Sequence, residues 1–528
     1  MTAQPRLRQL WQRAATPEGG VVVVVLVFLA ISAWWLATDL RVVNIDTGKH
    51  LRVANDWYGS LKVGHLLEPL LGYADYPPGP HLVGAVAALV FGPSLFVMTF
   101  AHNLLFVPLL ALGCYGTGRV AFNRTVGLLA ALFALSVPLL MAMFHQFLSD
   151  GPMTAMVALT VWLLLASDRF ARIEVSAAAG AALGLGMYTK GTFVAFVVGV
   201  VAVMLLRGGW RNWRGLVVFG LVAWAIAVPW YFAHYYQLHS ATNGAVTERP
   251  GLTRWYANVP FPARASIENY TWYAWSLVNN TLYLPLTLFL AAGAGWAGRA
   301  LVVSARWRKS YLPELLVGGF AGYLAMSLLV LKDPRYTLPC LVYIAVLGTW
   351  WIVELPRRAR LVATGLLVAV FAFNTIQHNF RVGGEHRIAL PGWVHSPIGE
   401  YSFVWVNDGG YSTAQPVKTG RPILNLLEGL RAQGVRRVVF DQSTLTFNGG
   451  YNTDGLTVLA RRAGLPVAGT TPDAVKTPQD AWITRWPIAD VHRRPCIVSP
   501  VQDDGTGLYV YRGAVPASID RTPPDCPS

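Results

Sequence analysis

The chain has 528 residues, of which 54% are hydrophobic and 13% charged. That balance leaves too little polar surface for a water-soluble fold and identifies an integral membrane protein. The formal net charge of +15 comes mainly from arginine; on such a protein it points to cytoplasmic anchoring and anionic lipid. No nucleic-acid motif accompanies it, so nucleic acid is not an expected partner. Cys114, Cys340, Cys496 and Cys526 show no CxxC spacing, which argues against a zinc or redox site.

At the N-terminus, Arg6, Arg8 and Arg13 precede the apolar run 21–36. No small-residue cleavage site follows it, so it is expected to stay as a first membrane helix. Further apolar runs cover 95–116, 126–143, 153–166, 175–188, 193–206, 216–233, 275–297, 315–331, 338–353 and 361–376, giving about eleven predicted spans. With the N-terminus inside, the cytoplasmic turns carry Arg119 and Arg124; Arg169 and Arg172; Arg207, Arg211 and Arg214; Arg299, Arg306, Arg308 and Lys309; and Arg357, Arg358 and Arg360. Every predicted inner turn is basic. Residues 77–93 are apolar over too short a stretch to cross, so 38–94 is expected to be an external segment of short interfacial helices.

After about residue 378 the composition turns to glycine, aspartate and short alternating strands. Examples are "VRRVVFD" (435–441) and "AWITRW" (481–486), with a helix-like "DGLTVLARRAG" (454–464) between them. The expected fold is therefore mainly α: a polytopic transmembrane helical bundle over 1–377, followed over 378–528 by a soluble α/β domain on the extracytoplasmic side. That domain shows no GxGxxG, P-loop or nucleophile elbow. In an oxidising compartment Cys496 and Cys526 could pair, while Cys114 and Cys340 lie in apolar runs and read as core.

Ionisable residues gather at the predicted external ends. Asp46, Asp56, Glu68 and Asp75 lie in the first external segment and Asp150 in the turn "HQFLSDGPM"; Lys190 sits in "YTKGTF", and Lys332 and Arg335 in "LKDPRYTLP". Such residues are commonly solvated or anchor a helix end. Asp46 can equally be read as a helix N-cap, and Asp150 as opening a helix with Pro152 in its first turn. The Lys190 turn is so short that its ammonium must lie near the membrane boundary, where it needs an anionic partner.

Taken in order, "IDTGKHLRVAND", "YPPGPHLVGAVAALVFG", "FLSDGPMTAMVALTVWLLL", "GLGMYTKGTFVAF" and "KDPRYTLPCLVYIAVL" resemble the C-type membrane glycosyltransferases. The likeness is to the branch of protein O-mannosyltransferases and lipid A aminoarabinose transferases. It implies Asp46 as the catalytic carboxylate, Asp150 as a supporting one, and Pro77 and Pro78 as the start of an interfacial helix near the lipid carrier. It also implies Lys190, Arg335 and Tyr336 as carrier-phosphate residues. Tyr76 stands where many members have His or Lys, and Thr47 where many have Glu.

The implied donor is a sugar on a polyprenyl phosphate; the acceptor is a glycan, glycolipid or protein, and membrane lipid surrounds the chain. A phosphate leaving group needs positive charge more than a general acid, a role that suits Lys190 and Arg335. A carboxylate within reach of the acceptor hydroxyl can take its proton, which suits Asp46 and gives a single inverting displacement. Trp57, Tyr58, Asp75 and His81 are candidate sugar or acceptor contacts. A divalent metal is left open. A transporter or lipid flippase is the rival class, but it would favour midplane charges and internal repeats.

Overall fold

The computed structural model describes residues 16–71, 76–236, 262–303, 310–329, 331–380, 386–389, 402–406, 420–440, 453–469, 474, 477, 479–484, 497–500 and 507–512. Its chain falls into two compact units that interleave in sequence. The first holds residues up to Trp34, Gly64–Val83 and Phe100–Gln415; the second holds Trp35–Val63, Gly84–Thr99 and the chain from Pro416 onward.

The helices in chain order are α1 (Pro17–Thr38), α2 (Ile45–Lys62), α3 (Glu68–Leu71), α4 (Gly79–Phe91), α5 (Leu95–Ala121), α6 (Arg124–Leu135), α7 (Pro138–Phe144), α8 (Asp150–Ala166), α9 (Ile173–Met187), α10 (Val198–Leu206) and α11 (Trp213–Ala233). They continue as α12 (Ile267–Ser276), α13 (Tyr283–Val303), α14 (Leu312–Ser327), α15 (Leu341–Glu354) and α16 (Arg357–Phe380). Each predicted span has a helical counterpart. Among the described residues, however, six helices are long and apolar enough to cross a membrane, or seven if the bent pair α6 and α7 is one span. The runs predicted around 153–166, 175–188, 193–206 and 315–331 form apolar helices of 10–17 residues, short of the usual ~20. Within the 77–93 segment, Gly79–Phe91 forms the short apolar helix α4.

Two predicted continuous spans are interrupted. The run 126–143 bends by 66° between α6 and α7. Pro138 cannot donate a backbone hydrogen bond and disfavours helical backbone at Val137, which is extended (φ −74, ψ 120). The Ser136 carbonyl exposed by the break accepts from Asn374 Nδ2 at 2.8 Å. The second interruption is the π-helical turn Leu277–Leu282 between α12 and α13. Pro285 cannot donate to the carbonyl four residues back, at Thr281, where the helix widens.

The core of the first unit centres on α6, α7, α8 and α15, where Phe133, Leu140, Val157, Val342 and Val346 are fully buried. Outer helices turn large apolar side chains outward instead: Leu221, Trp224 and Phe232 on α11, Val302 on α13 and Leu361 on α16 are exposed. Such faces are stable only against hydrocarbon, in keeping with an integral membrane protein.

Three turns that the charge pattern assigns to one membrane side meet in this unit. Arg207 Nη1 bonds both oxygens of the fully buried Glu314 at 2.6 and 2.9 Å, and Arg169 Nε lies 3.8 Å from the same carboxylate. A two-stranded antiparallel pair, β1 (His386–Ala389) and β2 (Ser402–Val406), also belongs to this unit.

In the second unit, α17 (Arg421–Ala432), β3 (Arg437–Phe440), α18 (Thr453–Arg462), β4 (Val467–Gly469), β5 (Asp480–Thr484), β6 (Ile497–Pro500) and β7 (Gly507–Arg512) follow in order. Among the described residues the strands form a five-stranded sheet, β4-β3-β5-β7-β6, parallel at β3/β4 and β3/β5 and antiparallel across β7. The strands and helix read from 435–441, 481–486 and 454–464 are β3, β5 and α18. Leu40 packs into the same core as Ile423, Leu427, Val438 and Leu456, and its carbonyl accepts from the Gly420 N–H at 2.8 Å. Helix α2 lies against α18 so closely that a Cβ on Gly48 would stand 2.5 Å from Asp454 Cβ, and Arg52 Nε pairs with Asp454 at 3.3 Å. The segment that follows the first helix is thus built into the C-terminal α/β fold.

Candidate active site

Helix α8 opens on Asp150, with Pro152 in its first turn; the N-terminal end of a helix suits a carboxylate. Although Asp150 is only 2% exposed, two cations reach it. Lys190 Nζ bonds Oδ1 at 2.8 Å, and Arg335 Nη1 lies 3.9 Å from Oδ2, an ion-pair distance beyond hydrogen-bond range. Lys190 ends the turn after α9 in extended backbone (φ −164) and starts the 3-10 segment Gly191–Phe196. Arg335 and Tyr336 lie on a second 3-10 segment, Pro334–Cys340. The Lys190 ammonium stands 4.9 Å from the Tyr336 ring centre, within cation–π range.

Asp333 is not among the residues that the sequence singles out, yet it fixes Arg335. It caps the 3-10 segment by accepting from the Arg335 N–H at 3.0 Å and holds Arg335 Nε at 3.1 Å. The signal for it is the Asp-Pro pair in "KDPR", since Pro at the first helical position calls for a capping residue before it. Lys332 acts away from this cluster. Its ammonium donates to the Ser327 carbonyl at 2.7 Å, at the open C-terminal end of α14.

The proline corner belongs to the same unit. Pro77 and Pro78 are buried, and the Gly79 N–H donates to the Tyr188 carbonyl at 2.9 Å, two residues before Lys190. His81 Nδ1 donates to the Pro77 carbonyl at 3.2 Å, and its ring centre lies 5.9 Å from that of Tyr76. His102 Nε2 donates to the Pro80 carbonyl at 2.6 Å, while its ring stacks on Phe147 at 4.1 Å. His102 is a second residue that sequence reasoning misses; its signal is a His-Asn pair inside an apolar run.

Asp46, Trp57 and Tyr58 belong to the second unit. Asp46 sits in the first turn of α2, but the N-cap is Asn44, whose side chain accepts from the Thr47 N–H at 2.8 Å. The capping reading of Asp46 thus passes to Asn44. On the same helix Trp57 is buried and Tyr58 half-buried beneath the Lys62 ammonium. Asp75, Cys496 and Cys526 lie outside the described residues; Cys114 and Cys340 are buried thiols. Among the described residues no three His, Cys, Asp or Glu side chains converge as metal ligands.

Residues 75–232 match the dolichyl-phosphate-mannose-protein mannosyltransferase family model. No curated protein sequence matches the chain. In fold, the chain is similar to ArnT from Cupriavidus metallidurans in the apo state, with a TM-score of 0.61 at 16% identity over 93% of this chain and 98% of that one. ArnT bound to undecaprenyl phosphate gives 0.59 at 16% identity, over 96% and 99%. The Archaeoglobus fulgidus oligosaccharyltransferase in the apo form gives 0.50 at 12% identity, over 87% and 65%. Residues 75–232 thus carry a mannosyltransferase sequence pattern, and the chain shares the helical fold of ArnT along nearly the whole of both chains.

Proposed function

We propose that the protein transfers a sugar, hexosyl or pentosyl, from a polyprenyl-phosphate donor to an acceptor hydroxyl on the extracytoplasmic side. The observation that carries this reading is the Asp150–Lys190–Arg335 cluster. Lys190 has three N–H donors, and among the described residues one is used, on Asp150. Its two other donors, with the Arg335 guanidinium, suit a phosphate oxygen, and Asp150 and Asp333 hold the two cations in place before a ligand arrives. The ArnT structure with undecaprenyl phosphate makes a polyprenyl carrier a natural ligand for such a site. The Pro77-Pro78 corner, joined to the Lys190 turn through Gly79, is suited to the carrier beside its phosphate.

In the reaction, the acceptor oxygen attacks the anomeric carbon as the bond from that carbon to the phosphate oxygen breaks. The hydroxyl proton passes to Asp46, and the electron pair leaves on the polyprenyl phosphate, where Lys190 and Arg335 offset the charge. One displacement inverts the anomeric centre. The outward placement of the C-terminal domain is supported by the Leu40–Gly420 bond, which ties it to the residues just after the first helix.

Asp46→Asn tests the assignment of the base. Asn44 already caps α2, so the amide at position 46 should leave the fold intact. Turnover should fall about a hundredfold or more, with donor binding kept. Full transfer activity in the folded variant would remove Asp46 from the mechanism.

A further inference from the structure

The outer end of α16 carries an unusual density of buried polar side chains. Thr375, His378 and Asn379 share one helical face, and all are at least nine-tenths buried, as is Thr281 on the π-helical turn. Thr281 Oγ1, Thr375 Oγ1, His378 Nε2 and Asn379 Oδ1 have no hydrogen-bond partner among the described residues. Buried groups of this kind are normally satisfied, and the demand is stricter inside a membrane protein, where hydrocarbon offers no replacement.

Helix α7 packs against both α16, which carries Thr375, His378 and Asn379, and the π turn, which carries Thr281. Asn379 Nδ2 reaches Met141 Sδ on α7 at 3.9 Å. His378 stacks on Tyr283, the residue closing the π turn, with ring centres 5.7 Å apart. Tyr283 is held at φ 56, ψ 174, a conformation costly for a side-chain-bearing residue. The π turn also packs against the 3-10 segment that carries Arg335. Two hydroxyls, an imidazole nitrogen and an amide oxygen beside an aromatic ring, next to an anion-binding element, have the composition of a carbohydrate subsite.

We infer that Thr281, Thr375, His378 and Asn379 hold the glycosyl group of the donor, hydrogen-bonding its hydroxyls while Lys190 and Arg335 hold its phosphate. This inference rests on the proposed glycosyl transfer and names the part of the substrate that these residues read.

The test compares bare undecaprenyl phosphate with undecaprenyl-phosphate mannose and undecaprenyl-phosphate arabinose on the purified full-length protein. The variant Thr281→Val/Thr375→Val/His378→Phe keeps size and removes three of the four unsatisfied groups, so it should fold at least as well as the parent. The expected result is that one sugar-bearing lipid binds the parent more tightly than the bare lipid. In the variant that lipid should weaken about tenfold or more, with bare-lipid affinity unchanged. The inference is overturned if neither sugar improves on the bare lipid, if the variant binds the sugar-bearing lipids as the parent does, or if only the KM of the acceptor moves. Failure of the phosphate assignment shows separately, as bare-lipid affinity that does not respond to Lys190→Ala.

Discussion

At the scale of single residues, charge and its surroundings decide what each side chain can do. Asp56 shows the cost of a poorly placed carboxylate. Although the side chain is exposed, desolvation by the surrounding protein raises its pKa above the ordinary value, and the nearby Arg52 and Arg461 do not cancel that effect, while Asp454 adds to it. A carboxyl that binds its proton more tightly in the folded state contributes stability fully present below its unfolded value, about 4, and lost as pH rises through the folded value. Asp56→Asn should therefore raise the melting temperature at pH 7 relative to the parent, and the gain should shrink as pH approaches 4; a pH-independent difference would contradict this. Asp150, Lys190 and Arg335 are legible in the sequence because a charge at the end of an apolar run must find a partner, and they find one another. Asp333 and His102 are harder to read, since each acts by fixing a neighbour: a guanidinium in one case, a proline carbonyl in the other.

At the scale of elements, apolar runs locate the helices but not their breaks or effective lengths. Pro138 turns one expected span into a pair bent by 66°, because the penalty at a proline is local and overrides a continuous hydropathy signal. The short helices α8, α9 and α14 lie alongside longer ones, so runs that look alike in sequence differ in what they can cross. The contact between α4 and the Lys190 turn is also invisible in the sequence, depending on a tertiary approach at Gly79. A Cβ there would stand 2.9 Å from the Tyr188 carbonyl oxygen and 3.2 Å from its carbon, neither able to swing aside. Gly79→Ala should thus cost about 1–3 kcal/mol of stability and weaken binding of bare undecaprenyl phosphate by displacing Lys190. Unchanged melting and affinity would show that the turn adapts freely.

At the scale of the whole molecule, the two compact units do not follow a single cut in the chain, because Trp35–Val63 folds with the residues from Pro416 onward. Composition announces a separate α/β domain, and β3, β5 and α18 appear where alternation and amphipathic spacing put them. That α2 belongs to the same unit cannot be read locally; it rests on Leu40 meeting Gly420 and on Gly48 meeting Asp454, far apart in sequence. The meeting of Arg169 and Arg207 with Glu314, and of Lys190 and Arg335 with Asp150, nevertheless follows the two-sided sorting of charges that the sequence displays. The most direct test of a polyprenyl-phosphate site in this fold is the dissociation constant for undecaprenyl phosphate of the purified parent, Lys190→Ala and Lys190→Arg, each checked for folding. Loss of one charge-assisted contact should weaken binding about tenfold or more in the alanine variant, with much of it recovered by arginine; equal affinity in parent and folded alanine variant would contradict the account.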